Sequence, residues 1–410
     1  MKGRAWVALA AVAVGCRPTT PVRGPEPTAA LPGRFEVVGR GPVTWTQSVG
    51  LWVFRAPNGR TYAWTGTWGA CRGCIGGRMY VWDVTDPRRP VRTDSVLLDA
   101  RIVPDMMTNR AGTLGVVARV GAASRRNGIV VLDLADPAHP KVLSEYWETL
   151  TGDVAAVYVH GDYVYVAHRG TGDLHIIDVR NPREPREVGR WGVPLTGFDK
   201  QLNDVWIEDG LAYLAYGDDG LVILDVGRGI KKGTPERPQL VSQYRYRTQW
   251  QGRTYGNTYM AVPYASSTGK RYVFVSDEVL PPNAAAAIEQ GEPFTTGGYV
   301  HVFDVTNPEK PTEVAWYDRP EAGAEQLWVA RDTLYIGYTT AGLRAVRVDG
   351  ELRGDLRRAG REVAALLTGD SVAFRPGRTF TLTPMVLGPY VYALDFHSGL
   401  WVARVVPAAP

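Results

Sequence analysis

Of the 410 residues, 45% are hydrophobic and 10% aromatic, enough to fill a sizeable core. The formal charge of +4 falls close to neutral once the basic residues at the extreme N-terminus are set aside, which excludes an extensive basic surface for nucleic acid. Beyond the first residues no apolar run is long enough to cross a bilayer as a helix.

The chain opens with Lys2 and Arg4, a mostly apolar stretch from Ala5 to Val14, then Gly15 and Cys16. This is too short to span a membrane and has the charged-then-apolar layout of a secretory signal. The "AVGC" ending, Ala13 to Cys16, resembles a lipobox, which makes Cys16 the expected lipidated first residue of an exported, membrane-anchored protein facing the periplasm or cell surface. An ordinary signal peptide cleaved nearby is the other reading, with Ala13 where such boxes usually carry Leu. Residues 17–33, rich in Pro and Thr, read as a flexible tether.

From there to residue 406 the text repeats. Its fullest copy is "YVYVAHRGTGDLHIIDVRNPREP", Tyr163 to Pro185: two strand-length runs of aromatic and β-branched residues, a Gly-containing turn between them, an Asp, and an Asn-Pro break. Proline lacks the N–H a ladder needs and so ends the strand. "MYVWDVTDPRRP", "IVVLDLADPAHP" and "YVHVFDVTNPEKP" repeat the pattern around Asp83, Asp133 and Asp304. "GLVILDV" repeats it at Asp225 before an insertion, and "GLRAVRV" and "GLWVARV" carry Arg347 and Arg404 in place of the Asp. Seven copies made wholly of short strands, about 45 residues apart where uninterrupted, predict an all-β fold, a seven-bladed β-propeller forming a single domain over 34–406. Blades four to seven are expected at about Leu202–Tyr246, Asn257–Tyr317, Ala324–Leu356 and Val363–Val406. "FEVVGR", Phe35 to Arg40, resembles the third-strand text "REVGRW", while the last copy stops at "WVARVV". The N-terminal strand is therefore expected to complete the last blade and close the ring.

These motifs resemble the LVIVD-repeat family of bacterial extracytoplasmic propeller proteins, across nearly the whole chain after the tether. The resemblance is specific for the fold and says little about activity, since propellers host many functions.

In such a ring the Asp-turns share one face and the hairpin turns before the Asp-bearing strands share the other. The first set is nearly uniform, whereas the second varies from copy to copy, as loops that carry function do. Cys71 and Cys74 lie in the first variable loop as a C-x-x-C; a structural disulfide is the main reading and a redox dithiol or half a metal site the other. Asp105, Asp153, Asp204 and Glu325 precede the innermost strands and are expected at the channel mouth. They stand there either as ligands for Ca²⁺ or a polar molecule, or as acceptors for backbone N–H groups of the next blade. His168 and His397, with Asp395 near the latter, stand in variable loops as candidate general bases, or as exposed bystanders. His175 and His301 are expected to face outward, and Arg119, Arg125 and Arg126 to add positive charge to the rim. The run Tyr244 to Tyr259 reads either as a stacking surface for sugars or peptides or as an outer strand with its exit loop. The Ala284–Ala287 run reads as a short helix in an insertion over 280–296.

The expected function is a cell-envelope binding module whose variable face takes a ligand, an envelope protein, a peptide or a carbohydrate. The alternative is an envelope hydrolase or lyase with a metal-assisted site at the channel mouth.

Overall fold

The computed structural model describes residues 30–70, 74–194, 200–250, 253–255, 257–290 and 292–408. The signal-like segment, Cys16 and Cys71 lie outside the described residues.

Seven sheets form the ring, antiparallel throughout except for one short parallel strand added to the outer edge of blade five. Their innermost strands, Gln47–Arg55, Met106–Thr108, Val154–His160, Asp204–Glu208, Thr258–Ala265, Leu327–Ala330 and Thr381–Leu387, each touch the next, and the last touches the first. The core follows from this arrangement, because every blade is covered on both faces. In the strand Gly220–Asp225 all six residues are buried. Val222 and Leu224 pack toward blade three, while Leu221 and Ile223 pack toward blade five. A continuous apolar run, rather than strict alternation, is what a strand buried on both sides requires.

The repeated Asp has a local cause. Asp83, Asp133, Asp178 and Asp304 each accept a hydrogen bond from the backbone N–H two residues on, at 2.9 Å. The following Asp86, Asp136, Asn181 and Asn307 do the same one turn later. This double side-chain cap turns the chain sharply from third to fourth strand.

Arg347 cannot provide that cap, and the expected boundary of blades six and seven fails there. The chain instead runs outward to pair Gly354–Asp355 with the fourth strand of blade five. It returns as Glu362–Leu366, the outer strand of blade six. Blade six therefore ends near Leu366, not Leu356, and blade seven begins at Thr381. Blade four ends its ladder at Tyr244, and the short pair Thr248–Trp250 and Arg253–Tyr255 forms a separate hairpin before blade five, so this run is an outer strand with its exit loop.

The ring closes between its ends. Gly33–Pro42 pairs antiparallel with Gly399–Pro407, Gly33 opposite Pro407 and Pro42 opposite Gly399. The last blade thus takes its fourth strand from the start of the chain.

The histidines expected to point outward do not. His175 and His301 are fully buried and pair, through Nδ1 at 2.7 Å, with Glu187 and Glu313 on the fourth strand. Arg344 and Glu362 make the equivalent pair in blade six at 2.9 Å. His301 also meets Asp277 at 3.0 Å. Burial opposes its charge, but Asp277 and Glu313 outweigh burial and push its pKa up to about 9. A raised folded-state pKa stabilises fully below the unfolded value near 6.5, and that contribution is lost as pH rises through about 9. We expect the parent protein to lose on the order of 3 kcal/mol between pH 6.5 and 10 from this group, and His301→Gln to remove that slope. Denaturant midpoints across this range measure it, and parallel pH profiles for the two proteins would contradict it.

Candidate functional site

Described residues line two compartments along the channel. The larger, about 310 Å³, lies at the mouth on the variable face. The smaller, about 50 Å³, lies deeper, where Trp52, Trp206 and Trp328 crowd the axis. Trp206 meets Trp328 edge-to-face at 5.6 Å and Trp328 meets Trp52 at 6.3 Å, so the channel narrows to an aromatic constriction.

Register explains what surrounds the mouth. When the blades are aligned on the residue of the second strand that faces the key Asp or Arg, the residue six further on reaches the rim. These are Trp68, Val120, Arg169, Gly217, Glu278, Thr339 and Phe396. The large side chains of this set divide by character. Trp68, Val120 and Phe396, joined by Ile102 and Phe380, make an apolar wall; Arg169 and Glu278, joined by Asp153, Asp204, Tyr259 and Glu325, make a polar one.

The insertion folds over this chamber. Its helix α1, Ala284–Gln290, buries Ala284 and Ala287 and turns Ile288 toward the cavity, which Leu280 and Phe294 also line. Phe294 packs on Phe380 at 5.2 Å, and a bridge between Val279 and Gly297 fastens the base.

The polar wall is built around Glu278, Glu325 and Asp204, whose carboxyl pKa values burial pushes up. Glu278 and Glu325 interact directly, and Tyr259 lies beside Glu325. Burial raises both carboxyl groups, and for Glu325 the nearby Glu278 raises it further. Each of two acids so placed makes ionisation of the other costlier. Arg169, whose Nη2 donates to Asn203 Oδ1 at 3.1 Å, offsets part of this effect on both glutamates. Burial also raises Asp204, with Asp105 adding to it.

The expected site residues fall into three groups. Asp153, Asp204 and Glu325 line the chamber; Asp153 is exposed at its edge, whereas Glu325 is 2% exposed. Asp105 belongs to the deeper compartment, where Oδ2 accepts from Val157 N of the next blade at 2.8 Å and burial pushes its pKa up to about 7. Among the described residues, it is the one of the four acids that accepts from a neighbouring blade's backbone. Among the described residues, no three His, Cys, Asp or Glu side chains come together to hold an ion.

His168, Asp395 and His397 do not line the chamber. His168 is fully buried: Nε2 accepts from Gly152 N at 2.9 Å and Nδ1 meets Thr171 Oγ1, while burial lowers its pKa to about 4. Asp395 occupies the same position in blade seven, one residue before the rim. That position is polar and buried in every blade: Thr67, Arg119, His168, Tyr216, Asp277, Tyr338 and Asp395. Most of them brace the adjoining turn or strand, so His168 and Asp395 are structural by position. Arg119 is therefore no rim cation; it is 1% exposed and pairs with Glu145 at 3.1 Å. Arg125 and Arg126 are exposed, as expected. His397 is 9% exposed, and burial with Arg378 and Arg375 lowers its pKa to about 4. Cys74 is disulfide-bonded and sits near Gln47 at the edge of blade one.

Arg169, Glu278 and the apolar wall were not singled out from the sequence, and Tyr259 only as the end of the run from Tyr244. The signal that could have found Trp68, Val120, Arg169, Glu278 and Phe396 is the count from the key position of each repeat.

The repeat itself is also recognised by comparison. The LVIVD repeat matches at residues 122–148, 151–192 and 201–245. The protein carries LVIVD repeats. No curated protein matches this LVIVD-repeat propeller in sequence. Among solved structures, the crystal structure of the computationally designed Ika8 protein is similar to it, with a TM-score of 0.52 and 9% identity over 90% of this chain and 99% of that one. At that identity the likeness concerns the fold alone.

Proposed function

We propose that this LVIVD-repeat propeller is a binding module and that its ligand is a small amphipathic molecule held in the chamber at the channel mouth. The observation that carries this reading is the division of one cavity of about 310 Å³ into an apolar and a polar wall beneath a docked insertion. A cavity of this size, largely apolar with a few convergent polar groups, is the usual form of a small-molecule site. It has no room for a folded partner. The charged-then-apolar start and the "AVGC" sequence support export and lipid attachment at Cys16, which would place the module at the cell envelope.

A metal-assisted hydrolase or lyase would need three ligands converging at the mouth, and among the described residues no three His, Cys, Asp or Glu side chains do so. Thermal-shift screening with amines, sugars, short peptides and organic acids tests the binding reading. A ligand at one hundred times its Kd should stabilise the protein by about 2.7 kcal/mol. The shift should shrink in Trp68→Ala and in Phe294→Ala, and Cys16→Ser should release the protein from the membrane fraction. Shifts that survive both cavity variants would move the site elsewhere. Product formed from any stabilising compound would favour the enzyme.

A further inference from the structure

Taking the chamber as the ligand site, we propose that it receives an organic amine: an ammonium group seated between Glu278 and Glu325, with an apolar or aromatic body against Trp68, Phe380 and Phe396. The two walls set this polarity. Both glutamates line the cavity, as do the aromatic side chains that form its other side. A cation between carboxylates gains charge-assisted hydrogen bonds, and an apolar body against the aromatic side chains gains by burial.

The groups facing the pair are Arg169, Tyr259, Asp153 and Asp204, with Asp105 beyond Asp204. Arg169 is the one cation among the chamber's described lining residues, and its guanidinium already donates to Asn203. An anionic ligand would have to sit beside Asp153, Asp204, Glu278 and Glu325, which disfavours it. Tyr259 lies beside Glu325 and favours its charged form.

Binding has a definite stoichiometry. The free site carries one proton between the two carboxyl groups. The bound site carries two carboxylates and an ammonium, so one proton leaves to solvent for each amine that enters, and no covalent bond changes. Because the proton's departure accompanies binding, affinity should rise with pH until the amine itself deprotonates.

Calorimetry on the full chain tests this, with 2-phenylethylamine and its size-matched anion 3-phenylpropanoate as probes, in two buffers of different ionisation enthalpy near pH 7. We expect the amine to bind and release about one proton, the anion to bind at least about tenfold more weakly, and Glu325→Gln to weaken the amine by about ten- to a hundredfold and abolish the proton release. Should Glu325→Gln fail to fold, the proton count on the parent protein still decides. Amine binding without proton release, anion binding as tight as the amine's, or no amine binding up to about 10 mM would each overturn the proposal. If other compounds nonetheless stabilise the protein through Trp68 and Phe294, the chamber remains a ligand site and only the amine assignment falls.

Discussion

A chain that begins at Thr44 should show no cooperative thermal transition. The strand it lacks, Gly33–Pro42, supplies the whole outer edge of blade seven and pairs along Gly399–Pro407. Phe35 is buried against Tyr335 and Trp401, and Val43 is buried against blade one. Losing this ladder forfeits about 0.5–1.5 kcal/mol for each backbone hydrogen bond and about 2–3 kcal/mol for each large apolar side chain. The sum is comparable to the 5–15 kcal/mol that separates a folded domain from its unfolded ensemble. Calorimetry and near-ultraviolet dichroism of the shortened chain measure this. A sharp transition within a few degrees of the parent's would show that the ring holds without its closing strand.

Asp395→Ala should be the most damaging single substitution in blade seven, at about 4 kcal/mol. Its carboxylate, fully buried, accepts from Thr368 Oγ1 at 2.6 Å, Phe380 N at 2.7 Å, and His397 N, Ser398 N and Ser398 Oγ at 2.9 Å. Those bonds hold its pKa down against burial, which still leaves it raised. Removing the side chain strands several buried donors, each costing about 1–3 kcal/mol before the structure relaxes. Asp395→Asn keeps one acceptor oxygen and should lose roughly half as much. Guanidinium unfolding of both variants gives the comparison. If Asp395→Ala costs under about 1 kcal/mol, the bracing role is wrong.

The fold was legible because each Asp-turn has a local chemical cause that recurs in the text. Where that cause is missing, at Arg347, the reading slipped by a strand: nothing in "GLRAVRV" announces that the chain will cross to blade five before returning at Glu362. The chamber was only partly legible. Residue type drew attention to His168 and Asp395, yet their position is polar in all seven blades and serves the turns. Arg169 and Glu278 look ordinary in sequence, and only the register that places them on the rim gives them meaning. Trp68, Phe380 and Phe396 come from different blades and meet only across the closed ring.

The pairing of the two chain ends also gives the ring a direction. Pro42 and Gly399 lie on the same side as the hairpin turns around the chamber, so Gly33 and Pro407, at the far ends of those strands, lie on the opposite face. Whatever the chain is fastened to through the residues before Gly33, or through a fusion after Pro407, is held beneath the uniform turns. The chamber then opens away from the attachment surface, as a cup does on its stem.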